Sequence, residues 1–198
     1  MAVMHPAGVT DFYTDGEERT YRWLAEVARP HDDYLVFYTP DLDGRQPDFV
    51  LYHDAVGLLV LEVKDWKIDQ ILALDPFYAE LQIGPNVEKR ENPLRQARDC
   101  CNSVMDALKK DHRLLSKLPQ FRDKPKIPIS YGAVLFNITW DDFAGRGFGT
   151  VMDTEKIFFF DDLSSSSESV TDHSGRTFAA ALAERFPCIC PASGWLQG

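Results

Sequence analysis

The chain has 198 residues, 44% apolar and 26% charged, the balance of an ordinary globular domain, which excludes a disordered, collagenous or coiled-coil protein. Its 21 Lys and Arg stand against 31 Asp and Glu, a net charge of −10, so bulk charge does not draw it onto nucleic acid or anionic membrane. No stretch approaches the roughly 18 apolar residues of a membrane span, and the first residues lack the basic-then-apolar pattern of an export signal, so a cytoplasmic protein with no membrane partner is expected.

Residues 1–14 read as an N-terminal lead-in. A helix is expected to open at Asp15-Gly16, with Asp15 as cap and Glu17 and Glu18 favoured by the positive helix end, and to run to about residue 29. Tyr21, Leu24 and Ala28 form its apolar stripe, and one turn back the stripe lands on Glu17, which should therefore point inward. Strands follow at 34–39, 48–53 and 57–64, separated by turn-rich segments, and predict a meander. The run from Gly57 is apolar until Glu62 and Lys64, as in a central strand buried on both faces up to its last residues.

Residues 68–83 predict a hairpin about Asp75-Pro76. Asn92 then caps a helix with Pro93 in its first turn and a stripe of Leu94, Ala97, Cys101, Val104 and Leu108. A Lys- and Pro-rich loop at 117–126 leads to strands at 127–138 and 157–160, a serine-rich loop at 163–172 and a helix at 175–186 lying over the last strand. Residues 188–198 read as a C-terminal tail or truncated junction. The expectation is one α/β domain over 15–187, a mixed central sheet flanked by helices.

Several chemistries lack support. The pairs Cys100-Cys101 and Cys188-x-Cys190 miss zinc-knuckle spacing, and the five histidines form no spaced pair. No phosphate-binding P-loop or serine nucleophile elbow is present. Trp66 and Trp140 read as core residues rather than stacking surfaces.

Glu62 and Lys64 are two apart on a strand, so they share a face about 7 Å apart; by themselves they read as an ion pair closing a buried strand. Asp48, at the start of the preceding strand, falls beside the end of the next in an antiparallel pair and can converge on Glu62. Glu17 is a third carboxylate aimed at the sheet, with helix-terminus charge compensation as its simpler role. Such acids are costly to bury without a counter-ion, and a hard divalent cation accepting oxygen ligands removes the conflict.

Gly16-Glu17, Pro47-Asp48-Phe49, Gly57 through Glu62-Val63-Lys64, and Asn92-Pro93-Leu94-Arg95-Gln96-Ala97 occur in that order. Together they resemble the landmarks of the nuclease-related domain (NERD) group of the PD-(D/E)xK nuclease superfamily, over about residues 12–112. The resemblance implies a restriction-endonuclease-like fold and a Mg²⁺- or Mn²⁺-dependent endonuclease hydrolysing DNA, with RNA left open. It implies that Asp48 and Glu62 coordinate the ion, that Glu17 does so directly or through water, and that the Val63 carbonyl completes the site. Lys64 would orient or help deprotonate the attacking water and offset charge on the phosphate. Gln96 would lie near the site, and Arg95 and Arg98 would reach phosphates.

Between Lys89 and Lys126 eleven Lys and Arg face five Asp and Glu, a local balance of +6, which suits a phosphate-facing surface. The rival expectation is a catalytically silent nuclease-like module for nucleic-acid binding or protein docking. The resemblance also implies a fused or associated partner of helicase or similar type.

Overall fold

The structure is a computed structural model that describes residues 2–28, 33–41, 44–164 and 178–186. In chain order the elements are β1 (Val3–His5), α1 (Asp15–Val27), β2 (Tyr34–Tyr38), β3 (Phe49–His53), β4 (Gly57–Lys64), β5 (Ile71–Leu74), β6 (Tyr78–Ile83), β7 (Asn86–Glu91), α2 (Pro93–Lys109), β8 (Ile129–Leu135), α3 (Trp140–Gly145), β9 (Ile157–Phe159), α4 (Phe160–Ser164) and α5 (Phe178–Arg185). Short 3₁₀ turns punctuate the connections.

The expected meander is present: β2, β3 and β4 pair antiparallel. It forms the middle of a six-stranded mixed sheet of order β1-β2-β3-β4-β8-β9, in which β8 pairs parallel with β4 and β9 parallel with β8. The first fourteen residues are more than a lead-in, because β1 adds a parallel edge strand against β2. The hairpin about Asp75 gains a third strand, β7, and makes a separate antiparallel sheet β5-β6-β7. No helix among the described residues is long and apolar enough to cross a membrane.

Strand alternation sends side chains to two faces. Phe49, Leu51, Leu59, Leu61 and Val63 pack with Trp23 and Leu24 of α1, with Ala28 at its C-terminal cap and with Leu182 of α5. On the other face Val50 and Val60 meet Cys100, Cys101 and Val104 of α2. Farther along that same face, Ala133 and Leu135 of β8 pack with Leu94 of α2, with Ile71, Ala79 and Leu81 of the small sheet and with Phe143 of α3. Helices therefore flank both faces.

Local details differ from expectation. Thr14, not Asp15, caps α1, its hydroxyl accepting from the Glu17 N–H. Trp140 is no core residue; it opens the unforeseen helix α3 and is 52% exposed. The strand expected over 127–138 is confined to Ile129–Leu135, and Phe160 belongs to α4 rather than to the last strand. Cys100 and Cys101 are both buried. Most of the serine-rich loop, the start of the last helix and the tail at 188–198, with Cys188 and Cys190, lie outside the described residues.

Candidate functional site

The site lies at the C-terminal end of β4. Phe49 pairs with Leu61 across β3 and β4, so one further step of the antiparallel register sets Asp48 opposite Glu62 on the face that carries Val50 and Val60. Asp48 ends the ladder: its Oδ2 accepts from the Val63 N–H at 2.7 Å, where a backbone carbonyl would otherwise sit. Lys64 Nζ donates to Glu62 Oε1 at 2.6 Å, and Glu62 is only 2% exposed. Its other oxygen, Oε2, is buried with no N–H or hydroxyl donor on it. Short of a proton shared with Asp48, it is an unsatisfied acceptor, which is costly in a packed interior.

Electrostatics follow from this crowding. Burial, and then the neighbouring Glu62 charge, push the Asp48 carboxyl up to about 8, although the Val63 N–H and Lys64 pull the other way. Burial also raises Glu62, against the opposing pull of the Lys64 ammonium. Cys100 of α2 lies close enough for burial and the Glu62 charge to push its thiol up to about 11.

The structure brings Asp48, Glu62 and Lys64 together and stations Glu17 beside them without joining it to them. Glu17 does point inward, at 6% exposure, and its charge acts on both Asp48 and Glu62. Its oxygens are committed elsewhere, however: Oε2 accepts from the Tyr38 hydroxyl at 2.6 Å and Oε1 from the Thr14 hydroxyl at 3.2 Å. Burial and the bond to Glu17 raise the Tyr38 phenol well above its ordinary range. Accordingly, among the described residues no group of three or more His, Cys, Asp and Glu could hold a metal ion. The oxygen set that remains is Asp48, Glu62 and the backbone of Val63. The unsatisfied Oε2 of Glu62 fits a cation there, and Mg²⁺ needs only one or two protein carboxylates because it keeps several waters.

Asp65 is a neighbour that sequence reasoning missed. Its Oδ2 accepts from the Gly16 N–H at 3.1 Å, and its backbone carbonyl accepts from Asn137 Nδ2 at 2.9 Å. The contact explains the glycine: a Cβ at position 16 would stand 2.0 Å from Asp65 Oδ1. Only a residue without a side chain lets the start of α1 close on the end of β4. The available signal was the charged residue directly after Lys64.

The residues of α2 divide. Because β8 runs parallel to β4, the intervening helix returns antiparallel and its first turns lie at the site end of the sheet. Gln96 is half-buried and stands one turn before Cys100 on the same face, the face that the acids reach. Arg95 is engaged already, 3.3 Å from Glu91 and lying over the rings of Phe77 and Tyr78. Arg98 is exposed, with Asp99 at 3.8 Å.

A family model described as a nuclease-related domain matches residues 14–136. The match starts at the cap of α1 and ends just past β8, so it contains every residue of the site and leaves out β1, β9 and the last three helices. Searches of curated proteins and of solved structures found no match.

Proposed function

The chain belongs to the nuclease-related domain family, and from that premise we propose that it is a Mg²⁺- or Mn²⁺-dependent nuclease hydrolysing phosphodiester bonds of DNA. One observation carries the reading: two acids, Asp48 and Glu62, are held side by side with raised proton affinity next to Lys64, and Glu62 Oε2 has no donor beyond a proton shared with Asp48. An ion-pair cap for a buried strand needs one acid and one base; a second, half-buried acid beside it works against it.

Asp48 and Glu62 would hold the cation. The Val63 carbonyl is a supporting ligand, because the N–H and C=O of one strand residue point to the same side and the Val63 N–H points to Asp48. Glu17, occupied by Thr14 and Tyr38, acts through water in this reading. A divalent cation supplies positive charge to the phosphoryl oxygens and acidifies water at neutral pH. Lys64, drawn off Glu62 once that acid is otherwise neutralised, holds the attacking water in line and offsets charge developing on the phosphate. Gln96 gives the water or phosphate a neutral hydrogen-bonding partner from the α2 side, and Arg98 offers the flanking backbone a cation.

Supercoiled plasmid incubated with Mn²⁺, Mg²⁺ or chelator tests the reading. Nicking should require the cation and fall about a hundredfold or more in both Lys64→Ala and Asp48→Ala. Nicking unchanged in both variants refutes the assignment.

A further inference from the structure

The small sheet carries a feature that this chemistry does not use. Phe77 and Tyr78 are 56% and 38% exposed, large rings left in water beside the first turn of α2. They are not loosely held. Asp75 Oδ1 accepts from the N–H groups of both Phe77 and Tyr78, at 2.6 and 2.7 Å. Asn92, the cap of α2, donates its N–H to the Phe77 carbonyl and its Nδ2 to the Asp75 carbonyl, each at 2.9 Å. The turn that presents the rings is thus latched to the helix whose opening residues stand at the site end of the sheet.

Cations surround the rings. The Arg95 guanidinium lies 5.3 Å from the centre of Phe77 and 5.5 Å from that of Tyr78, and Lys89 Nζ is 4.1 Å from the centre of Tyr78. Glu91 holds Arg95 at 3.3 Å in a half-buried pair at the surface, and Glu80 stands across from Lys89 in the strand register; ion pairs open to water are of the weak kind that a phosphate can replace. Rigid exposed rings interleaved with cations are what an unpaired strand requires: faces for bases to stack on and positive charge for the backbone between them. A protein-docking patch needs apolar area without cations set over its rings, and a duplex keeps its bases out of reach of the rings.

We infer that Phe77 and Tyr78, with Arg95 and Lys89, form a stacking platform for single-stranded nucleic acid that feeds the cleavage site. This deepens the nuclease reading and rests on it for the role of the bound strand, but the binding itself does not require cleavage.

The test is fluorescence anisotropy of a labelled oligo(dT) of about 15 nucleotides on the full chain in chelator, where no hydrolysis occurs. The wild type should bind it more tightly than a duplex of equal length, and Phe77→Ala/Tyr78→Ala should weaken oligo(dT) binding roughly ten- to a hundredfold while leaving duplex binding unchanged. Phe77→Trp, which keeps a stacking ring, should bind as the wild type does and show a quenching of tryptophan emission on binding that the wild type lacks. Equal affinity of wild type and double alanine variant, a preference for duplex, or no added quenching in Phe77→Trp overturns the platform. Oligo(dT) binding that depends on the rings in a protein that never nicks DNA would sink the nuclease reading alone.

Discussion

Asp48→Asn should stabilise the metal-free protein at neutral pH and leave it unchanged in acid. The carboxyl titrates at about 8 in the folded chain against an ordinary 3.8, so the folded state holds this proton more tightly than the unfolded state does. Stability is therefore fullest below about pH 4 and is lost as the pH climbs towards 8. At pH 7 the ceiling on that loss is ~4 kcal/mol, at ~1.36 kcal/mol for each unit of displacement. Sharing of the proton with Glu62 and access of water to the rim reduce it to ~1–2 kcal/mol. Asparagine keeps the bond from the Val63 N–H through its carbonyl oxygen and can donate to Glu62 through its amide. In chelator at pH 7.5 its melting temperature should exceed that of the wild type by roughly 3–8 °C, and the gap should close at pH 4. In excess Mn²⁺ the order should reverse, because only the wild type gains the binding energy of the ion. Melting curves followed by circular dichroism decide the matter: a variant less stable than wild type at pH 7.5 in chelator, or a gap indifferent to pH, refutes the reasoning.

Gly16→Ala should destabilise by ~1–3 kcal/mol, as over-packing does, because its methyl would meet Asp65; urea melts of the single variant and of Gly16→Ala/Asp65→Ala check it, and the double variant should recover part of the loss. Gly57→Ala should cost more than ~2 kcal/mol, since the position has φ +85° and a Cβ there would stand 2.3 Å from the Pro128 carbonyl oxygen; the same urea melts check it. Asn92→Ala removes the cap that accepts from the Leu94 and Arg95 N–H groups and should cost ~1–2 kcal/mol, with amide exchange accelerated in the first turn of α2 as its signature.

What could be read in advance was encoded locally. A strand repeats every two residues, so Glu62 and Lys64 declared their common face, and a short turn between neighbouring strands brought Asp48 to the same end. The helical stripe likewise aimed Glu17 inward. The parts that escaped depend on partners distant in sequence or on weak patterns. β1 is three residues long and acquires its identity only by pairing with β2. β7, with the sequence Asn-Val-Glu-Lys-Arg-Glu, is held by its register with β6 rather than by burial, so no apolar alternation marks it. α3 is too short, at six residues, for helical periodicity to speak, which left Trp140 to be assigned by composition alone. The commitment of Glu17 to Tyr38 joins residues 21 apart, and a pattern along one helix cannot reveal it.

The bond from the Val63 N–H to Asp48 spans 15 residues, and the turn between β3 and β4 is the shortest route to it. The principal pair of acids therefore assembles with a single local hairpin, at small loop-closure entropy, before α1 need dock or β8 need find its parallel partner. Contacts this local form early. A divalent ion captured by Asp48 and Glu62 would then act as a clasp on the nascent hairpin, penalising every misregistered pairing that puts the two acids on opposite faces. If the proposed cation binds at that stage, folding yield should rise with cation supply, and refolding in chelator against refolding in Mn²⁺ reads it.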